Sequence, residues 1–411
     1  MRYLVFFFLF LNSSYSKDLS ANFLIFGDSG YHESYPKPEE GPDGITMDER
    51  KKIALEDGDV LNDKPVFPAL SPNKLKKKYY FEKGGAFLVG KAMTNYCKKN
   101  TCDFSLMLGD NIYPNGAQGD ESDEKRFRQL IYMPFKNLER NNKDFRFYVI
   151  LGNHDWYSHE WIPDNPKRME ELAYKGIYAQ MEYYSRPGSR YVLNPDSTDP
   201  KRKTYYNFTT NEGKIEFFAL DTQKILNGLK VPDYKNPAKF EKNFTPTSKE
   251  ELEEMITWLK EGLKNSNADW KIVFGHHPLY SLGGTKFMQA KLLRELLLDT
   301  LCKYADIYMA GHEHDMEYHV ASCQGLPDLE LLVSGAASKQ RSVGITPPSK
   351  KLIFDQNREY QFGKGLIWGF AHMTIKDNLA EVNLFEVDDG GDYKPIFKKG
   401  ILNRSKFIPK N

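Results

Sequence analysis

The chain has 411 residues, 40% of them hydrophobic, enough to build one large two-layer α/β domain or two smaller ones. An aromatic share of 14% and a charged share of 27% exclude a disordered or low-complexity chain. Fifty-seven Lys and Arg against 56 Asp and Glu leave no overall field, so neither nucleic acid nor an anionic membrane surface is expected as a partner.

Taken in chain order, the first element is an export signal over residues 1–16. Arg2 gives the positive start, Leu4 to Leu11 is an apolar run, and Ser14-Tyr15-Ser16 is a small-x-small cleavage site. A membrane-spanning helix needs about 20 apolar residues, far more than this run, so no stable membrane anchor is expected. The mature chain is read as a single domain, 17–411, secreted or periplasmic. Asn22 to Phe26 then forms a strand ending at Gly27. Residues 31–83, rich in Pro, Gly, Asp and Lys without periodicity, read as an irregular insertion. Its Lys74, Lys76, Lys77 and Lys78 either steer anionic substrates or form a solvated face.

Ala86 to Tyr96 and Glu124 to Phe135 carry helical patterns. Between and after them, Ser105 to Leu108 and Phe145 to Leu151 are strands ending at Gly109 and Gly152. Tyr205 to Thr209 and Ile215 to Asp221 are further strands. Ser248 with Glu251 forms a capping box that opens a helix with Leu252, Met255, Ile256, Leu259 and Leu263 as its apolar stripe, ending near Asn265. Lys271 to Phe274 leads to Gly275. A helix striped by Leu292, Leu293, Leu296 and Leu297 precedes the strand Asp306 to Ala310, which ends at Gly311. Leu329 to Ser334, Gly369 to Ile375 and Glu381 to Glu386 complete the strands, several without a helix between them, which implies antiparallel neighbours in mixed sheets. The fold class is α/β, a four-layer αββα sandwich of two mixed β-sheets flanked by helices. Spacing favours disulfides Cys97 with Cys102 and Cys302 with Cys323, although four cysteines allow three connectivities. Asn207, Asn243 and Asn403 open N-glycosylation patterns that matter only in a eukaryotic secretory pathway.

Five strands end in glycine followed by polar residues: Asp28; Asp110 with Tyr113; Asn153, His154 and Asp155; His276 with His277; and His312 with His314. In open α/β sheets ligands gather beyond the carboxyl ends of strands, so five such ends can share one site. Five of the nine histidines fall there, and no cysteine does. Carboxylate, phenolate, amide oxygen and imidazole suit Fe, Mn or Zn. A pair of such ions about 3.5–4 Å apart polarises a phosphoryl group and ionises water at ordinary pH.

The ordered motifs Gly27-Asp28-Ser29-Gly30, Gly109-Asp110-Asn111-Ile112-Tyr113, Gly152-Asn153-His154-Asp155, Gly275-His276-His277-Pro278 and Gly311-His312-Glu313-His314 resemble the calcineurin-like metallophosphoesterases. Within them the chain resembles purple acid phosphatases of the small, tartrate-resistant type. Gly30 stands where most relatives carry a histidine, and Tyr113 appears instead, a substitution that marks the purple branch. The resemblance implies an Fe(III) site of Asp28, Asp110, Tyr113 and His314. It also implies a divalent site (Fe, Zn or Mn) of Asp110, Asn153, His276 and His312, with Asp110 bridging.

The implied activity is acid phosphatase: a metal-bound hydroxide attacks the phosphomonoester of a small phosphorylated substrate. His154 is then the acid or phosphate-orienting group. Asp155 either keeps His154 protonated or caps the following loop, and His277 either contacts phosphate or packs. His32, His159, His319 and His372 are read as surface or core histidines. A histidine that small purple acid phosphatases place about nine residues beyond the His276 position is missing from Ser281 to Phe287. The same motifs also suit a phosphodiesterase or nucleotide pyrophosphatase. A non-catalytic exported scaffold on this fold would have lost ligands, and all seven positions are intact. Oligomeric state and natural substrate are not encoded in these motifs.

Overall fold

Strand β1 (Ser20–Phe26) buries nearly every side chain after its first, because it lies inside its sheet with the second sheet against one face and helices against the other. The computed structural model describes residues 19–31, 84–157, 164–186, 188–195, 203–233, 239–240, 245–282, 286–341, 343 and 360–408, with the backbone of 60–61 and 64–65. The export signal, most of the 31–83 insertion with its lysine run, His32, His159 and Asn243 lie outside the described residues.

The remaining strands are β2 (Phe104–Met107), β3 (Phe147–Val149), β4 (Tyr191–Val192), β5 (Tyr206–Thr210), β6 (Ile215–Leu220) and β7 (Trp270–Gly275). They continue with β8 (Ile307–Ala310), β9 (Met316–Cys323), β10 (Leu326–Ser334), β11 (Tyr360–Lys364), β12 (Trp368–Lys376), β13 (Leu379–Val387) and β14 (Tyr393–Leu402). Two seven-stranded mixed sheets result, ordered β14-β13-β12-β1-β2-β3-β4 and β11-β9-β10-β8-β7-β6-β5. In the first, β1, β2 and β3 run parallel, with Phe23 opposite Phe104 and Leu106 opposite Tyr148. In the second, β7 and β8 run parallel, with Ile272 opposite Ile307. The five glycine-terminated ends therefore belong to two groups of adjacent parallel strands, one in each sheet.

The sheets pack face to face through aromatic side chains. Phe23 stacks on Phe104 with centroids 5.0 Å apart, and Phe217 of the other sheet meets both edge-on at 5.4 and 5.5 Å. Helices α1 (Ala86–Cys97) and α3 (Met133–Asn141) contribute Val89, Met93 and Phe135 to this core. A second cluster joins helices α6 (Lys249–Asn265) and α7 (Phe287–Tyr304) to the second sheet, with Met255, Leu259, Leu263, Leu293, Leu297 and Leu301 against Phe218, Leu220 and Val273. The layers are helix, sheet, sheet, helix, as the sequence implies. Both disulfides form as expected: Cys97–Cys102 closes the turn after α1, and Cys302–Cys323 ties α7 to β9.

Departures are local. The helix expected over Glu124 to Phe135 is α2 (Ser122–Phe127), a π-turn over Arg128–Tyr132 and then α3, because Pro134 lacks an amide donor and fits only near a helix start. The twenty-residue α4 (Pro166–Ser185), with Asn165 capping Arg168 N, and the edge strand β14 have no counterpart in the sequence reading. Asn403 is 1% exposed and donates to the Asp269 carbonyl, so its glycosylation pattern is inaccessible, whereas Asn207 on β5 is exposed. Among the described residues no helix is long and apolar enough to cross a membrane.

Candidate metal centre

The chain turns sharply at each glycine-terminated end. Asp28, Asp110 and His312 have φ of 56°, 53° and 69°, a left-handed conformation that L-residues adopt at a cost of about 1–3 kcal/mol. Such strain persists where the surrounding structure overdetermines it. Here Asp28 N donates to Gly109 O, Gly30 N to Asp110 O, Gly311 N to His276 O, His154 N to Asp110 Oδ1 and His312 N to Asp28 Oδ2, so the five loops hold one another. Gly30 explains why no histidine stands in the first motif: a Cβ there would lie 2.0 Å from the Asn111 carbonyl oxygen.

All seven ligand candidates converge and are buried. On one side the Tyr113 hydroxyl lies 2.8 Å from Asp110 Oδ2, 3.0 Å from Asp28 Oδ1 and 3.1 Å from His314 Nε2, while His314 Nε2 is 3.4 Å from Asp28 Oδ1. On the other side His276 Nε2 lies 3.4 Å from Asp110 Oδ1, 3.2 Å from Asn153 Oδ1 and 3.1 Å from His312 Nδ1. Asp110 thus turns one oxygen to each group. Donors around an ion with bonds of about 2.1 Å sit about 3.0–3.4 Å apart at octahedral to tetrahedral angles, which is the spacing found.

The electrostatics also fit cations. Burial and the charge of Asp110 raise Asp28 well above the carboxylate range, against the pull of His276. Burial opposes the charge on Asp110 too, but His276 and His154 outweigh it and hold that carboxyl well below its usual value. Burial lowers His312 and His314 well below the ordinary imidazole value, so both are neutral with a lone pair to offer. Burial and the charges of Asp110 and Asp28 push the Tyr113 phenol far up.

Tautomers follow from the partners beyond the donors. His276 Nδ1 donates to the Leu108 carbonyl at 2.7 Å and turns Nε2 toward Asp110 and Asn153; burial works against its charge, but the Asp110 carboxylate prevails and raises it to about 9, so Nε2 is where a cation would take the place of a proton. His312 Nε2 faces Gln289 Oε1 at 2.9 Å, which leaves Nδ1 for the centre. The Asn153 amide donates to the Tyr157 hydroxyl at 3.0 Å and so directs its oxygen inward. His154 donates Nδ1–H to the Pro114 carbonyl and presents Nε2 4.0 Å from Asp110 Oδ2. Its ring leans on Tyr113 with centroids 4.3 Å apart, and its side chain is 28% exposed, the open edge of the site.

The sequence leaves two roles open for each of Asp155 and His277. The Asp155 carboxylate accepts from Gly152 N at 2.8 Å and from Asn111 N and Ile112 N at 3.1 Å. It braces the second and third motifs from below, because these sharp turns leave amides that need a buried acceptor. The carboxylate beside His154 is Asp110. His277 packs beside His276 and His312, its Nδ1 2.8 Å from Thr222 Oγ1. Thr222 Oγ1 already accepts from His276 N and His277 N, so its hydroxyl proton goes to His277 Nδ1 and His277 keeps its own proton on Nε2. That nitrogen is buried and has no hydrogen-bond partner among the described residues.

Sequence reasoning missed Gln289, Thr222 and Tyr157. Thr222 opens the short helix α5 (Thr222–Asn227) after β6, whose end has no glycine, and Gln289 sits in the first turn of α7, so neither carries a local signal. His319 pairs with Glu317 at 2.6 Å, and His372 lies between the Tyr96 hydroxyl and the Thr101 carbonyl, both core roles as expected.

Comparison with known proteins bears on the family and the fold. A family model described as calcineurin-like phosphoesterase matches residues 22–316. The chain is similar to purple acid phosphatase 17 of Arabidopsis thaliana, 27% identical over 329 residues that cover 77% of this chain and 81% of that protein. It is similar to tartrate-resistant acid phosphatase type 5 of Homo sapiens, 24% identical over 314 residues, 74% of this chain and 80% of that one. In fold it is similar to purple acid phosphatase PPD1 from yellow lupin (Lupinus luteus) seeds, with TM-score 0.55 and 14% identity over 96% of this chain and 55% of that one. GAP50, the anchor in the inner membrane complex of Plasmodium, superposes with TM-score 0.57 and 16% identity over 93% of this chain and 89% of that one.

Proposed function

Because the chain belongs to the calcineurin-like phosphoesterase family, we propose that it hydrolyses phosphomonoesters as an acid phosphatase with an Fe(III) and a divalent ion, Fe, Zn or Mn. The observation that carries this reading is Asp110, whose two oxygens face two separate donor groups, one containing a tyrosine. Asp28, Asp110, Tyr113 and His314 would hold the ferric ion, and Asp110, Asn153, His276 and His312 the divalent one. Bound there, the ions would supply charge to polarise a phosphoryl oxygen and a means of ionising water near neutral pH.

The chain's own groups do the rest. His154 points Nε2 to the exposed edge from which an alkoxide would depart, and with Nδ1–H held by the Pro114 carbonyl it donates there as the imidazolium, a form that burial confines to acid by lowering its pKa to about 4. His277 offers an Nε2–H from the floor to an oxygen of the substrate or its solvent. Burial of Asp28, Asp110, Tyr113 and the ligand histidines keeps bulk water from competing for these positions. The two disulfides suit an oxidising compartment and support an exported, mature chain over 17–411 that acts on small phosphorylated substrates.

The test is metal analysis with a visible spectrum, and p-nitrophenyl phosphate assayed beside its bis ester. Two ions per chain, a tyrosinate-to-iron band that is lost in Tyr113→Phe, and preference for the monoester are expected. A colourless, iron-free but fully active protein would overturn the iron assignment, and preference for the diester would overturn the monoesterase assignment.

A further inference from the structure

Tyr113 has a cation over its ring that the ligand scheme does not use. The Lys339 ammonium stands 4.8 Å from the centroid of the Tyr113 ring and 5.0 Å from that of Tyr31. The two rings meet edge-on, 6.2 Å apart at 86°, and form two walls around the ammonium. A lysine side chain is flexible, but its backbone here is anchored to the candidate centre itself. Ser338 N donates to the Asp28 carbonyl at 3.2 Å, as does the Ser338 hydroxyl, and Ala337 N donates to Gly27 O at 3.3 Å. Arg341 N donates to the His314 carbonyl at 2.8 Å, and Tyr31 N to Ser338 Oγ at 3.2 Å. The segment bearing Lys339 is thus tied on both sides to residues that hold the same donor group as Tyr113.

We propose that Lys339 is a positioning residue that sets the electric field on the Tyr113 side chain and so tunes the ion that Tyr113 holds. This rests on the reading of Tyr113 as a ferric ligand. A cation over an aromatic face is attracted by the ring's negative quadrupole, and more strongly by a phenolate. The same charge lowers the energy of the phenolate's highest filled orbital. Moving an electron from that orbital to Fe(III) then needs more energy, so the absorption lies at shorter wavelength. The cation also favours the less positive ferrous state and raises the Fe(III)/Fe(II) potential. Removing the charge reverses both signs.

The experiment uses the full-length, iron-containing protein and reads iron content, the visible band and the reduction potential, none of which depends on turnover. Lys339→Met is expected to keep its iron, shift the band to longer wavelength and lower the potential, and Lys339→Arg to stay near the parent. Should Lys339→Met not retain iron, Lys339→Gln removes the charge while keeping polarity and gives the same comparison. An unmoved band and potential in an iron-retaining, charge-free variant would overturn this inference and leave the phosphatase reading intact. An equal shift in Lys339→Arg would also overturn it, since packing would then be the cause. A parent that binds iron without a tyrosinate band would overturn this inference together with the assignment of Tyr113 as a ferric ligand.

Discussion

At the scale of single residues, His154 and Asp155 are neighbours with opposite duties. His154 touches the candidate centre through its backbone N–H on Asp110 Oδ1 at 2.8 Å, while its ring stands at the open edge. His154→Ala is therefore expected to keep its metals and its melting temperature and to lose roughly 10²–10⁴-fold in kcat, as for loss of a general acid. Steady-state kinetics with metal analysis checks this. Asp155→Ala would strand the amides of Gly152, Asn111 and Ile112 in a buried loop, a destabilisation of at least about 2–3 kcal/mol visible in urea unfolding. Its motif Gly-Asn-His-Asp is plain in the sequence, but the division of labour is not. Which of two adjacent polar side chains faces the ligand depends on the turn geometry, and a string of letters does not carry that.

Secondary-structure elements supply the partners that aim the donors. The first turn of α7 brings Gln289 to His312 Nε2, a contact between residues 23 apart in sequence. Gln289→Ala is expected to weaken binding of the ion on the His276, His312 and Asn153 side by about 10–100-fold, the usual cost of losing such a support. The Tyr113 side is expected to be spared, and competition with a chelator separates the two. At the rim, Glu386 on β13 bonds Lys364 on β11 at 2.7 Å and Lys394 on β14 at 3.1 Å, which joins the edges of the two sheets. Burial works against its charge, but the two lysines prevail and hold its carboxyl below the usual value. A depressed folded pKa stabilises above the unfolded value of about 4.3 and loses that contribution as the pH falls through the folded value. Glu386→Gln should thus cost roughly 1 kcal/mol at neutral pH and nothing once both states are protonated in acid, as thermal melts across that range would show.

For the whole molecule, the centre exists only because two sheets meet. β1, β2 and β3 deliver Asp28, Asp110, Tyr113, Asn153 and His154, while β7 and β8 deliver the histidines from the opposing sheet. The Cys302–Cys323 bridge fastens α7, and Gln289 with it, to that second sheet across a separation of 21 residues. Replacing both cysteines with alanine is expected to cost about 3 kcal/mol by the loop-closure estimate, measured by denaturant unfolding. The seven candidate donors were legible through a resemblance of ordered motifs, while the sequence by itself pointed to the two-sheet α/β architecture, to the glycine-terminated strand ends and to the local disulfide pairs. Those depend on local rules: glycine where the chain must turn, apolar periodicity in strands and helices, and cysteine spacing. Only the tertiary structure decided how Asp110 divides its oxygens, which nitrogen each histidine presents, where Asp155 points and that Lys339 stands over Tyr113. Those are relations between residues distant in sequence, set by how the sheets and loops pack, and no local pattern encodes them.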